Sequence, residues 1–460
     1  MTHIIDESIK NVYFIGIGGI GMSALARYFK AQGYRVGGYD RTPSVLTQKM
    51  QEEEGIDINH NDEIEAIAPE FRDRHTTLLV YTPAVHEDNK QMSFFRAAGF
   101  ELHKRAEVLG MISRQGKAIC VAGTHGKTTV STMTSFLLRQ SKIGCNAFLG
   151  GISANFGTNL LLDAHSPYIV IEADEFDRSF LHLRPTLAAI TSMDEDHLDI
   201  YQNKANLIEA FKSFAQLVSP DGVLFLKQGL KLLDVGVTGY YGVDEKSDFR
   251  ADNLRIDNGL CLFDYYGRGV EIKNLRLGVP GRLNVENATI AITLALEAGV
   301  QPDEICKALP NFKGVARRFN IHVNEAGIIY IDDYAHHPKE IEATLRSVKE
   351  IWPDKKVNVI FQPHLYSRTK DFYLEFARSL SLADNVLLLD IYPARELPIP
   401  GVTSKMICEK LTVPGVVLNK EDILSWLKHD FCDGIVITMG AGDIDRLVNS
   451  VTEILKHKMN

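Results

Sequence analysis

Val12-Tyr13-Phe14-Ile15-Gly16-Ile17-Gly18-Gly19-Ile20-Gly21 runs from an apolar, strand-like stretch into a glycine-rich turn, and Met22, Leu25 and Ala26 continue it with helical spacing. Further along, Ile119-Cys120-Val121-Ala122 leads in the same way into Gly123-Thr124-His125-Gly126-Lys127-Thr128-Thr129. Strand, glycine turn and helix in that order open a parallel βαβ unit. Without a Cβ, such a turn lets backbone N–H groups approach an anion, and the helix N-terminus adds a favourable field. Two such turns imply two phosphate-bearing molecules held by one chain.

Outward from these turns, short apolar runs alternate with helix-period segments over most of the 460 residues, the pattern of parallel sheets covered by helices. An α/β protein of three domains is expected. A Rossmann-like domain spans 1–106, with strands near Val12–Ile15, Arg35–Tyr39 and Leu78–Thr82. A central P-loop, ATPase-like parallel sheet spans 107–316. Its strands lie near Ile119, Tyr168–Ile171, Leu187–Ile190 and Val223–Leu226, with a small antiparallel excursion over Lys231–Leu277 and a helix over Asn284–Ala298. A second Rossmann-like domain spans 317–460, with strands at Ile328–Ile331, Val357–Phe361, Val386–Leu389 and Ile435–Thr438.

Composition narrows the class. A net charge of −9 without a long basic block disfavours an extended nucleic-acid partner. The first residues lack a basic segment followed by an apolar one, and no run of 18 apolar residues occurs, so a cytoplasmic protein without membrane insertion is expected. Six scattered cysteines without C-x-x-C spacing fit reduced thiols better than a disulfide or zinc framework. Oligomeric state is not legible.

Asp40 lies 19 residues after Gly21 at the end of the second expected strand, where an acidic side chain can accept from a ribose hydroxyl. Alone, that pattern reads as NAD, although the same geometry serves any nucleotide diphosphate. In the second turn Lys127 is placed for β and γ phosphates and Thr128 for Mg²⁺. The general signature G-x-x-x-x-G-K-[ST] is nevertheless not met, because Val121 stands where its first glycine would be. Glu172-Ala173-Asp174-Glu175 and Asp194-Glu195-Asp196-His197 follow two of the expected strands, where a magnesium ligand belongs. A third set, Arg317-Arg318, Asp332-Asp333-Tyr334-Ala335-His336-His337-Pro338 and Phe361-Gln362-Pro363-His364-Leu365-Tyr366-Ser367-Arg368, offers groups for phosphate and carboxylate.

Taken together and in order, Gly16–Ser23, Ala122–Thr129, Glu172–Glu175, Asp196-His197, Asn284–Ala288, Gly314–Phe319, Asp332–Pro338, Phe361–Thr369 and Thr438–Ile444 resemble the bacterial Mur ligases of peptidoglycan precursor synthesis. The resemblance covers essentially the whole chain. It implies an ATP-dependent, amide-forming ligase with ATP and Mg²⁺, whose substrates are UDP-N-acetylmuramate and L-alanine. The first turn would hold the UDP-sugar through Gly16, Gly18, Gly19, Ile20, Gly21 and Asp40, with Asn155 and Thr158 near the muramic acid. ATP would lie on Gly123, Thr124, His125, Gly126, Lys127, Thr128 and Thr129, with Asn287 near adenine, Asp333 on the ribose and Arg318 near the γ-phosphate. The resemblance further implies Thr128, Glu172 and His197 around magnesium, and Lys127, His197 and Arg318 as catalytic groups. Tyr334, His364 and Arg368 would bind the amino acid; Leu365 stands where members often carry a second Arg. Rival readings are a relative that adds a peptide or another amino acid, an NAD-dependent oxidoreductase, and a nucleotide sensor without turnover.

Overall fold

The computed structural model describes residues 8–86, 88–195, 198–243, 246–257, 259–394 and 396–458. By packing, the chain divides into two compact units: Met1–Asp252 with Asp264–Lys273 and Asn287–Leu309, and Asn253–Phe263 with Asn274–Glu286 and Pro310–Asn460.

In the first unit a five-stranded parallel sheet runs in the order Asp57–Asn59, Arg35–Tyr39, Asn11–Ile15, Thr77–Tyr81, Leu102–Lys104. The order reverses beside Asn11–Ile15, so the first glycine turn opens at the switch point where α/β sheets bind ligands. A ten-stranded sheet follows, with Lys117–Ala122 between Pro185–Ile190 and Tyr168–Ala173. Asn146–Phe148 and the antiparallel Leu160–Leu161 lie beyond Tyr168–Ala173. On the other side come Val223–Lys227 and Gly239–Val243, then Phe249–Asp257, Leu260–Gly267 and Val270–Arg276, whose residues are divided between the first and second units. Gly239–Val243 and the start of Phe249–Asp257 join in parallel, within the segment read as an antiparallel excursion. Phe249–Asp257, Leu260–Gly267 and Val270–Arg276 are successive neighbours separated by only two residues each, which is the antiparallel part of that excursion.

One apolar core serves both sheets. Phe14, Leu25 and Phe29 belong to the same buried cluster as Cys120, Ile171 and Phe211, and each such large side chain contributes roughly 1.5–3 kcal/mol when fully buried. The helix Ile20–Ala31, which follows the first glycine turn, presses Tyr28 against Phe148 with ring centres 5.4 Å apart. The two glycine turns therefore sit on a common packed body.

The second unit carries a six-stranded sheet in the order Asn320–Glu325, Ile328–Asp333, Gly434–Met439, Val357–Phe361, Asn385–Leu388, Gly415–Val417. Only the first of these pairs antiparallel. Ile331, Phe361 and Ile437 point into one core and Tyr330, Ile360 and Val436 into another. Burial of both faces explains why these strands read as continuous apolar runs. Among the described residues no helix is long and apolar enough to cross a membrane.

Candidate active site

The first turn is shaped by its own strand ends. Gly16 has φ +87°, and a Cβ there would lie 2.5 Å from Thr82 Cγ2, so the backbone needs glycine twice over. Asp40 Oδ2 accepts from Gly18 N at 2.7 Å and Oδ1 from Thr42 N at 3.0 Å. Its carboxylate thus holds the turn from within. Gly19 is the N-cap of the helix Ile20–Ala31 and makes no side-chain cap hydrogen bond, so the first-turn amides receive no side-chain acceptor from the cap residue. The guanidinium of Arg105 lies over Gly21, 2.5 Å from where a Cβ would stand, and places a cation there that the sequence reading did not single out.

The second turn shows why the missing glycine is harmless. Val121 is fully buried inside the strand Lys117–Ala122, paired with Ala189 and Glu172 of the flanking strands. The loop is therefore short, from Gly123 to Gly126, with φ +134° and +85° at those two glycines. The end of Pro185–Ile190 braces it: Ser192 Oγ accepts from His125 N at 2.6 Å and meets Thr124 Oγ1 at 2.9 Å, while Thr191 Oγ1 donates to His125 O and to Ala122 O. Thr124 Oγ1 also accepts from Asp194 N at 3.0 Å. Thr191 and Ser192 were missed by sequence reasoning; hydroxyl residues directly after a buried strand are the signal. Asn287, buried on the helix Arg282–Glu297, brings Oδ1 to 3.1 Å from the Cβ position of Gly126, so it abuts the loop itself.

Lys127 and Thr128 begin the helix Lys127–Arg139. Lys127 Nζ donates to Gly123 O at 2.7 Å and to Glu175 Oε2 and Oε1 at 2.7 and 3.0 Å, and the Glu175 side chain is fully buried. Burial works against the ammonium charge, but the carboxylates of Glu175, Asp174 and Glu172 outweigh it and hold the Lys127 pKa above its ordinary value. Lys127 is a fixed cation across the physiological range. In the sequence Glu175 is one member of an acidic run; complete burial of its side chain is what separates it from Glu172 and Asp174.

Glu172 is the penultimate residue of the strand Tyr168–Ala173, paired with Val121 of Lys117–Ala122, and its Oε2 accepts from Gly150 N at 3.0 Å. Any side chain at Gly150 would collide with that carboxylate. The segment after Gly150 closes on itself through Gly157 N to Ser153 O at 2.8 Å and Ser153 N to Thr158 O at 3.0 Å, with Asn155 and Thr158 half-buried. His197 and Asp196 lie outside the described residues. Thr129, like Thr128, lies in the helix first turn.

The third set gathers within the second unit. Arg317 and Arg318 place guanidinium carbons 5.4 and 5.0 Å from the Tyr334 ring centre, a cation–π pair. Tyr334, His336, His364 and Tyr392 form a run of rings with successive centres 5.2, 6.1 and 5.8 Å apart. Arg368 lies on the helix Tyr366–Leu380, whose N-cap, Leu365, has φ +72°. A non-glycine residue there is strained, as residues at functional sites often are. Asp333 is buried; burial pushes its pKa up to about 6, while Arg318 and hydrogen bonds from Thr344 Oγ1 at 2.8 Å and Ala335 N at 3.0 Å oppose that rise. Tyr392 and Glu340, whose Oε2 accepts from His336 N at 3.0 Å, are further members that the sequence reading left out.

The Mur ligase family catalytic domain model matches residues 11–117, the Mur ligase middle domain 121–295, and the Mur ligase glutamate ligase domain 317–442. A UDP-N-acetylmuramate–L-alanine ligase of Phocaeicola vulgatus is 51% identical over 98% of this chain and 99% of its own length. One of Porphyromonas gingivalis is 48% identical over 97% and 99%. Among solved structures, a UDP-N-acetylmuramate-alanine ligase of Thermotoga maritima superposes with a TM-score of 0.80, 27% identical over 97% of this chain and 98% of its own. A murein peptide ligase of Psychrobacter arcticus, 24% identical over 97% and 98% with a TM-score of 0.69, shares the fold.

Two outcomes follow from the electrostatics. Glu175→Gln removes the buried partner of Lys127, and urea denaturation should show a loss of about 3 kcal/mol, since breaking such a pair leaves a buried charge poorly compensated; an unchanged midpoint would refute that role. For Asp333, a rise from 3.8 to about 6 corresponds to about 3 kcal/mol. Below about pH 4 the carboxyl is protonated in the folded chain and largely so in the unfolded one, and as pH rises through 6 the unfolded chain ionises more readily, so stability falls. Asp333→Asn should therefore match the wild type in urea melts near pH 4 and exceed it by up to about 3 kcal/mol at pH 7. A gap that stays constant with pH would overturn this assignment.

Proposed function

The chain belongs to the Mur ligase family, and we propose that its reaction joins L-alanine to the lactyl carboxylate of UDP-N-acetylmuramate while ATP is cleaved to ADP and phosphate. The observation that carries this reading is the packing of two unlike phosphate turns on one body, the second armed with Lys127 and bordered by Glu172. End-to-end identity to alanine ligases supports the amino acid, whereas likeness to the peptide-adding enzyme extends to fold alone.

A carboxylate is a poor electrophile, so its oxygen must first be made a leaving group. The lactyl carboxylate attacks the γ-phosphate, ADP departs, and the resulting acyl phosphate is captured by the alanine amine through a tetrahedral intermediate that expels phosphate. Lys127, already charged and aimed by Glu175 and Gly123 O, neutralises the transferring phosphoryl group; Arg318 is proposed for the same charge and Asp333 for the ribose. The amine must be neutral to attack, and at a free pKa of roughly 8 it needs only a modest base. His336 suits that role: Nδ1 bonded to Tyr334 O at 3.0 Å leaves Nε2 as the basic nitrogen. Tyr334, His364 and Arg368 are proposed for the amino acid.

The donor set fits magnesium. An ion held mainly by nucleotide phosphates needs one or two protein oxygens, which Thr128 and Glu172 supply, and among the described residues no group of three or more His, Cys, Asp or Glu forms a cage for a metal on its own. When bound, magnesium neutralises phosphate charge; His197 is proposed as a further contact.

A coupled phosphate assay, omitting UDP-N-acetylmuramate, ATP, magnesium and alanine in turn, should give turnover only with all four. Serine, glycine and a tripeptide in place of alanine test the amino acid, and a faster rate with the tripeptide would sink the proposal. Lys127→Ala should lower phosphate release by about 10²-fold to 10³-fold while calorimetric binding of UDP-N-acetylmuramate stays close to wild type. Equal loss of both would contradict separate turns for the two ligands.

A further inference from the structure

We propose that Asn159 is a positioning residue that ties the UDP-sugar turn to the carboxylate end of the nucleotide site, so that the two ligands bind cooperatively. The inference rests on the function proposed above and adds to it a physical link between the two turns.

Asn159 is fully buried and every polar atom of its side chain is engaged with the helix Ile20–Ala31. Its Nδ2 donates to Ile20 O at 2.6 Å and to Ser23 Oγ at 3.1 Å, and its Oδ1 accepts from Arg27 Nη1 at 2.8 Å. Ile20 is the first residue of that helix, so the amide grips the turn that faces the diphosphate. Arg27 is held in turn by Glu54, with Nε to Oε2 at 2.7 Å. Ser23 Oγ also donates to Ile20 O at 2.9 Å, which closes the network.

At its other end the same segment reaches the nucleotide site. Leu149 N donates to Asn159 O at 2.9 Å, and the next residue, Gly150, donates to Glu172 Oε2 at 3.0 Å. Three linked hydrogen bonds therefore run from Ile20 O to the carboxylate proposed for magnesium. A second route lies alongside: Arg105, over Gly21, approaches Asp174 Oδ2 at 3.8 Å, and Lys104 Nζ meets Asp177 Oδ2 at 3.0 Å. Glu172 would hold a nucleotide-bound cation with the same carboxylate that accepts from Gly150 N, so a shift of that carboxylate would load this segment, and a buried amide with all its bonds made transmits a shift better than it absorbs one. Coupling of this kind is reciprocal: whatever the nucleotide does to UDP-sugar affinity, the UDP-sugar does to nucleotide affinity.

The test is calorimetry on the full chain with UDP-N-acetylmuramate, with and without a non-hydrolysable ATP analogue plus magnesium. In the wild type the analogue should tighten UDP-N-acetylmuramate binding by about fivefold or more. Asn159→Asp keeps the acceptor for Arg27 but turns a carboxylate oxygen on Ile20 O; it should abolish that gain while the analogue alone binds as in the wild type. A residue that merely supports the fold would weaken both ligands together and leave their ratio intact. If Asn159→Asp does not fold, Arg27→Met, which releases Oδ1 from the helix side, must show the same loss of coupling. Full coupling in the folded variant, or none in the wild type, overturns the inference and leaves the proposed function standing. Failure of the wild type to bind UDP-N-acetylmuramate at all removes both.

Discussion

Lys127 is a nearly buried cation, and the architecture around it follows from keeping that charge. An ammonium group removed from water needs several acceptors or it gives up its proton. Here the acceptors are Gly123 O and both oxygens of Glu175, with Asp174 and Glu172 close enough to add to the field. Glu175 is itself buried, and its backbone oxygen accepts from Tyr201 OH at 2.5 Å. The acidic run after Tyr168–Ala173 is thus a counter-charge built into the fold. It keeps the lysine charged although little water reaches it.

The same economy appears in the loop. A P-loop with its first glycine replaced by valine ought to lose its shape, yet Val121 never enters the loop because the strand continues through Ala122. What remains is too short to wrap phosphate on glycine flexibility alone. Thr191 and Ser192 of the neighbouring strand hold its carbonyl and amide groups in place. Glycine still sets the curvature at Gly123 and Gly126, and hydroxyl groups just beyond the adjoining strand fix the loop between them.

These details separate what the chain shows by its order of residues from what it does not. The long central strands and both glycine turns were legible because periodicity and glycine carry their own signal: Val357–Phe361 was read to the residue, and Ile328–Ile331 fell short only of the two aspartates that end the strand. Two- and three-residue strands such as Asp57–Asn59 and Leu160–Leu161 were not, since so few residues show no alternation. Lys127 stands where the sequence puts it, at the start of a helix just beyond a strand, whereas Glu172, expected beyond a strand, is its penultimate residue. Glu175, Thr191, Ser192, Arg105 and Asn159 were not legible, because each matters through a partner distant in sequence, and nothing local distinguishes a buried Glu or Asn from a solvated one.

The first turn gives the sharpest case. Glycines ending in a helix, with an acidic residue after the next strand, read as a nicotinamide-dinucleotide fingerprint. In the folded chain both oxygens of that acid, Asp40, bond backbone amides of Gly18 and Thr42. The carboxylate shapes the turn, a task it performs whatever nucleotide is bound, so its presence in the sequence does not select NAD. Selection has to come from what surrounds the turn: Arg105 over Gly21 supplies positive charge, and Asn159 fastens the helix to the segment whose Gly150 N bonds the Glu172 carboxylate. A dehydrogenase that binds one dinucleotide has no use for a second glycine turn packed on the same core. A ligase that must hold a carboxylate against a γ-phosphate does, because a small misplacement between two bound reactants costs more rate than weaker binding of either.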